Sequence, residues 1–286
     1  MPSLIDMRRR IRSVKNTQQI TKAMKMVSAA KLRRAQDRVI ASRPYGSLLR
    51  KVLANVAAAA PAGDADQVHP LLARREEKRI LLVVITGDKG LAGAFNSNII
   101  KGAQRFQAEH ADAAIQLELI GRKGRDYFRK RRGNISGEHI NLAAKAIYED
   151  VAQIARKAID LYSRNEIDAV YIVYNEFKSV VSQKLTTQRV LPVEMPRETQ
   201  PVDYIFEQPP AEMLAALLPR YVETEFYHAL LESAAAEHAA RMTAMEAATS
   251  NAGEMIDKLT LYMNRVRQAS ITKEIIEVVS GAAAAE

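Results

Sequence analysis

There is no cysteine among the 286 residues. That excludes a disulfide framework, a thiol nucleophile and thiolate metal sites, and a reducing cytoplasm is the compartment it fits most easily. Acids are nearly absent at the start, where residues 1–56 hold two against fourteen Lys and Arg. Aromatic residues are missing before Tyr45. No apolar run approaches the length of a membrane span, and the charged first residues lack the apolar core of a secretory signal. Proline is missing from Tyr221 to Gly281. At 48% hydrophobic residues the chain is no disordered polymer, and its length allows one or two domains with a real core.

The proline-free stretch is the organising element. Met242, Met245, Thr249, Ala252, Ile256, Leu259, Met263 and Val266 recur at alternating steps of three and four. That 3.5-residue repeat belongs to a helix supercoiled against a partner. Some sixty helical residues would reach roughly 90 Å, so part of the helix should project from the body. An apolar seam does not stand alone in water, and something must cover it.

The other chain end supplies the cover. Pro2-Ser3 with Asp6 reads as a capped helix start. Leu4, Met7, Ile11, Val14, Gln18, Thr21, Lys25, Ser28, Leu32, Ala35 and Val39 continue at the same spacing, with Ile20, Met24 and Val27 as a second stripe. Pro44 should kink or interrupt this helix, which resumes over Ser47 to Ala60. Residues 211–286 carry eleven acids against six Lys and Arg, the reverse of the N-terminal balance. Matched periodicity and opposite charge predict an antiparallel pair.

Between the ends, residues 61–77 read as a linker. Ile80 to Ile85 is a continuous apolar run, the mark of a buried parallel strand. Further strands are expected at Ile115–Ile120, Ile135–Ile140, Ala169–Tyr174 and Leu185–Val193. Helices are expected from a cap at Asn96-Ser97-Asn98 to His110, over Lys123–Arg132, and unbroken over Leu142–Ser163. Alternating strands and helices predict a mostly parallel sheet. The fold class is therefore α/β: a long antiparallel coiled coil of the N- and C-terminal helices with an inserted Rossmann-like α/β domain. The boundaries are 1–60 for the first shaft helix, 61–77 for the linker, 78–205 for the globular domain and 206–286 for the second shaft helix.

Motifs for chemistry are weak. Thr86-Gly-Asp-Lys-Gly-Leu-Ala-Gly93 lies between a strand and a helix, but its glycine spacing fits neither a dinucleotide fingerprint nor a P-loop. A tight turn explains it better than a phosphate cradle. The histidines have no metal-ligand spacing, and Glu274 and Glu277 read as a polar helix face. A basic coiled coil that binds nucleic acid is the second reading, carried by charge alone. A nucleotide-dependent enzyme built on the insert is the third.

Three blocks carry a more specific signal. They are Ser13-Val-Lys-Asn-Thr-Gln-Gln-Ile-Thr-Lys-Ala-Met24 within Ile11 to Gln36, Gly87-Asp-Lys-Gly-Leu-Ala-Gly-Ala-Phe-Asn-Ser-Asn98, and Arg265 to Ala284 with Ile271-Thr-Lys-Glu274, Glu277 and Gly281-Ala282. Weaker blocks lie at Gly121 to Phe128 and Tyr174 to Gln183. Together they resemble the gamma subunits of bacterial F-type ATP synthases over the full length. Gly93-Ala-Phe-Asn96 departs slightly from that family's usual Gly-Gly-Phe-Asn, and no cysteine-bearing regulatory insert is present.

The resemblance implies a central rotor stalk that couples proton flow through the membrane sector to conformational cycling of the catalytic subunits. It implies no catalysis, no metal and no cofactor in this chain. The partners it implies are the alpha and beta subunits, the epsilon subunit and the c-ring, with no nucleic acid. The implied place is the cytoplasmic face of a bacterial plasma membrane, peripheral and held through the c-ring. Carried over residue by residue, Met24, Arg241 and Met242 would meet the alpha–beta ring at mid-shaft. Arg267, Gln268, Thr272 and Glu274 would meet its loops near the bearing. Tyr204 and Glu207 would meet the c-ring loops.

Overall fold

The structure is a computed structural model, and it describes residues 4–59, 69–194 and 208–283. The Ser3 cap and the start of the expected linker lie outside these residues. So do Tyr204 and Glu207. The described chain divides into two units, one of residues 4–28 and 242–283, the other from residues 29–241. Both terminal helices contribute to both units, so the division does not fall at the boundary between helix and insert.

The first unit is a helix pair, built from the start of α1 (Leu4–Ala59) and the end of α6 (Pro210–Ala283). Leu4, Met7, Ile11, Val14, Gln18, Thr21, Lys25 and Ser28 are all shielded, while their neighbours on the outer faces are exposed. The facing seam from Met242 to Val266 is shielded at every predicted position. Gln18 and Thr21 face Thr249, and Lys25 faces Glu246, so the helices run antiparallel. Of the second stripe, Ile20 and Val27 are 60% and 56% exposed, and Met24 is half-buried.

The second unit holds β1 (Arg79–Ile85), α2 (Phe95–Glu109), β2 (Ala114–Ile120), α3 (Arg122–Lys130) and β3 (Ile135–His139). It continues with α4 (Leu142–Lys145), α5 (Tyr148–Ser163), β4 (Ala169–Phe177) and β5 (Gln183–Leu191). The sheet order is β3-β2-β1-β4-β5. All neighbours are parallel except β4 and β5, which are antiparallel. β1 is central and has apolar side chains on both faces, as a doubly covered strand must. Ile80, Leu82 and Val84 pack with Leu117 and Leu119 of β2, with Phe95, Ile99 and Phe106 of α2, and with Ala236 of α6. Glu118, between Leu117 and Leu119 on β2, points to the opposite face and meets Lys157 of α5 there.

Several expectations need correction. Pro44 does not interrupt α1, which runs helical through it. The carbonyl left without a donor is that of Ile40, and Ile40 is 61% exposed, so water can satisfy it. The helix expected over Leu142–Ser163 is broken, because Ala146 takes a left-handed backbone (φ 46°) between α4 and α5. The Ala146 carbonyl accepts a hydrogen bond from Tyr227 of α6 at 3.2 Å, which ties the break to the terminal helix. The cap of α2 is Ala94 rather than the Asn-Ser-Asn run, and Asn96 serves the preceding loop instead. Within the segment read as a linker, residues 70–72 form a 3₁₀ turn with Leu71 and Leu72 buried. Leu71 accepts the Val193 backbone N–H at 2.9 Å, so this part is packed against the unit.

Candidate functional site

Polar residues cluster in the helix-pair unit where the apolar seam gives way. Gln18 Nε2 donates to the Thr249 carbonyl at 3.4 Å, and Lys25 Nζ meets Glu246 at 2.6 Å. A cleft of about 700 Å³ opens beside them, lined by Gln19, Lys22, Met26 and Gly253 among others. Met24 and Met242 are half-buried in this unit, and Met26 and Met255 are 62% and 53% exposed. A thioether surface of this kind can repack against changing neighbours.

Farther along α6 the pairing runs out. The Thr21–Thr249 contact sets the offset, and equal rise along both helices puts Leu4 level with Val266. Val266 is the last apolar seam residue that is shielded, and from Ile271 to Gly281 every residue is exposed. Helix α6 thus continues for some 25 Å past the described start of α1. This end carries Ile271, Ile275, Ile276, Val278 and Val279, each between 49% and 72% exposed. Five bare aliphatic side chains on one helix end mark a surface built to be covered. Arg267, Gln268, Thr272 and Glu274 are exposed here, with Thr272 Oγ1 bonded back to the Gln268 carbonyl at 2.9 Å.

Arg241 behaves differently from the other predicted contact residues. It is buried in the sheet unit, where its guanidinium pairs with Glu237 and donates to the Gly90 carbonyl at 3.3 Å. Its first role is to hold the glycine-rich loop against α6.

That loop occupies its own anion position. Asp88 Oδ1 accepts the backbone N–H of Arg122, the first residue of α3, at 3.0 Å. Its Oδ2 accepts the Asn141 N–H at 3.0 Å. The carboxylate sits where a phosphate would sit at a helix N-terminus, so the turn is closed by the chain's own charge. Asn96 takes the Gly87 N–H at 2.8 Å, and Thr86 Oγ1 accepts that of Gly124 at 2.9 Å.

Four buried glutamates fasten α6 to its surroundings. Glu223 accepts Tyr148 Oη and Arg156 Nε, each at 2.8 Å. Burial, with Glu223 adding, pushes the Tyr148 hydroxyl up to about 12. Glu225 takes Arg50 and Gln188, and Glu232 takes Arg43 and the Phe177 N–H. Glu237 is the partner of Arg241. Sequence reasoning treated these carboxylates as net charge only; a run of acids on a helix otherwise rich in alanine was the available signal. Among the described residues no cluster of His, Asp and Glu could hold a metal ion.

A family model described as ATP synthase matches residues 3–285. A relative from Solibacter usitatus named ATP synthase gamma chain is 78% identical over 286 residues, the whole of both chains. The chain belongs to the ATP synthase gamma chain family. A gamma chain from an Anaeromyxobacter species is 53% identical, with 99% of each chain covered. The solved central stalk and c-ring of the Tetrahymena thermophila mitochondrial ATP synthase contains a chain of TM-score 0.62 and 28% identity, covering 80% of this chain and 99% of that one. A Euglena gracilis mitochondrial ATP synthase chain reaches TM-score 0.68 at 21% identity, covering 98% and 94%, and shows the likeness of fold. The matched chains of these two structures are similar in fold to this chain. No helix among the described residues is long and apolar enough to cross a membrane.

Proposed function

We propose that this gamma chain is the turning central shaft of an ATP synthase and performs no bond chemistry of its own. The observation that carries the reading is the bare aliphatic end of α6 beyond its pairing with α1. Such a surface needs a lining, and a ring of alpha and beta subunits that encloses the helix end supplies one. Inside the ring the shaft must not settle at one angle. Met24 and Met242 at mid-shaft, and Arg267, Gln268, Thr272 and Glu274 near the bearing, give adaptable and hydrated contacts that a turning surface can exchange. Arg241 contributes by fixing the loop through Gly90.

At the other end the gamma chain meets the epsilon subunit and the c-ring, with Tyr204 and Glu207 on the c-ring side. Proton flow through the membrane sector turns the c-ring and the shaft with it, and the shaft's asymmetric outline forces the catalytic interfaces through different states in turn. The chain is held peripherally at the cytoplasmic face of a bacterial plasma membrane. The nucleic-acid reading has no observation in its favour. The basic face of α1 is answered in part by α6, through Lys25 with Glu246, Arg43 with Glu232 and Arg50 with Glu225.

The test is reconstitution of the full chain with alpha and beta subunits, with a bead fixed to its α/β insert. ATP should drive the bead in one direction. Replacing Ile275 and Val279 by Asp should lower the yield of the complex, because two charges would enter an apolar lining. A bead that stays still while the ring hydrolyses ATP would sink the shaft reading. Unchanged assembly of the doubly substituted chain would sink the assignment of the helix end.

A further inference from the structure

A second, smaller cleft of about 180 Å³ lies wholly within the sheet unit. One wall is α1, which presents Lys31, Arg34 and Arg38 at steps of three and four and so on one face. The other walls are small and apolar, formed by alanines around α4 and by Leu231 and Ala234 of α6, with His238 beside them. No carboxylate side chain lines the cleft.

His238 adds a further donor. Burial pushes its imidazole down to about 4, and the charges of Arg241 and Lys31 add to that, so the ring is neutral near pH 7. Arg241 Nη1 stands 3.3 Å from His238 Nδ1. A guanidinium only donates, so Nδ1 accepts and the ring proton sits on Nε2. The titratable side chains of the cleft are therefore an ammonium, two guanidiniums and an imidazole N–H, all donors. The far walls are apolar, and Lys31, Arg34 and Arg38 on the near wall are exposed, so the cleft opens to solvent on its basic side.

We propose that this cleft binds a small oxyanion of the phosphate class, held by Lys31, Arg34 and His238. Only a group that accepts several hydrogen bonds and carries negative charge answers such a lining. The volume is far above the roughly 10–15 Å³ that one water needs, and below the roughly 300–1,000 Å³ of pockets that enclose organic ligands. The site therefore takes a phosphate group alone, either free or as the end of a larger molecule that stays outside. The inference uses neither the shaft reading nor any partner, and it stands or falls separately.

The experiment is a titration of the full chain with inorganic phosphate at constant ionic strength, followed by NMR of the His238 ring and of phosphorus. Saturable binding is expected, and the bound anion should raise the His238 pKa well above about 4. Lys31→Gln and Arg34→Gln should each weaken the phosphate Kd about tenfold. Lys31→Arg should retain binding. His238→Gln should weaken it with the melting temperature unchanged. Displacement of phosphate by ADP with the same response in the His238 ring would identify a nucleotide end as the source, and failure to displace would identify free phosphate. A His238 response that rises without saturating would overturn the proposal. So would a Kd unchanged in the Lys31→Gln, Arg34→Gln double variant.

Discussion

Thr21 and Thr249 meet across the two terminal helices with their hydroxyl oxygens 2.8 Å apart. Thr21 Oγ1 also lies 3.0 Å from the Gln18 carbonyl, and Thr249 Oγ1 lies 2.7 Å from the Met245 carbonyl. Two hydroxyl protons serve three contacts, so one contact is always without its proton. Donors can swap with no heavy atom moving. A polar layer in an otherwise apolar seam selects one register, because a slipped pair would bury each hydroxyl against a side chain that cannot answer it. Replacing Thr21 or Thr249 alone by Val should cost about 0.5–1 kcal/mol. Replacing both should cost less than the two single changes together, since neither hydroxyl is then left facing a methyl. Urea denaturation of the four-member cycle checks this, and strictly additive costs would mean that the two hydroxyls do not support each other.

Gly121 stands where the glycine-rich loop meets α3. Its φ of 94° is one that side chains other than glycine rarely adopt. A Cβ built on it would fall on the Thr86 carbonyl oxygen, which is backbone and cannot step aside. Gly121→Ala should therefore cost about 3 kcal/mol or more. Gly90→Ala in the same loop is the control. Its Cβ would meet only the Lys123 side chain at 3.8 Å, and the cost should stay below about 1 kcal/mol. Equal costs in urea denaturation would show that the close approach at Gly121 is not what fixes the loop.

How far the sequence disclosed this depends on which contacts were local. The helix seams were legible residue by residue, because a 3.5-residue repeat is a property of one strand of sequence and does not depend on what covers it. The strands of the sheet were legible within a few residues for the same reason. Ala146 was not: nothing in the Leu142–Ser163 pattern announces a left-handed residue, and the break answers Tyr227, eighty-one positions away. Asp88 read as a loop residue because the N–H groups it caps belong to Arg122 and Asn141, brought to it only by the crossover from β2 to α3 and the end of β3. Arg241 was placed by family likeness at mid-shaft, and its burial against Glu237 and Gly90 needed the fold to be seen.

Among the described residues Glu118 is the one buried carboxylate on a strand of the sheet, 1% exposed on β2. Its Oε1 lies 2.7 Å from His139 Nε2, and its Oε2 receives Lys157 Nζ at 2.8 Å. Burial alone would push its carboxyl up, but the hydrogen bonds from His139 and Lys157 outweigh it and hold the carboxyl below its ordinary value of 4.5. A carboxyl lowered on folding stabilises the native state above its unfolded pKa, and that stabilisation is lost as the pH falls through the folded value. Wild-type stability should therefore hold down to about pH 4.5 as far as this group is concerned, and decline below it. Lys157→Met removes one hydrogen bond and one positive charge, which lets burial dominate and lifts the Glu118 carboxyl. The variant should lose about 1.5–3 kcal/mol at pH 7. As the pH falls through that raised value the folded state takes up the proton more readily than the unfolded chain, so the variant should recover part of this loss on acidification where the wild type declines. Urea midpoints measured from pH 7 to pH 4 on both proteins decide the matter. Curves that run parallel throughout would mean that Lys157 does not set the ionisation of Glu118.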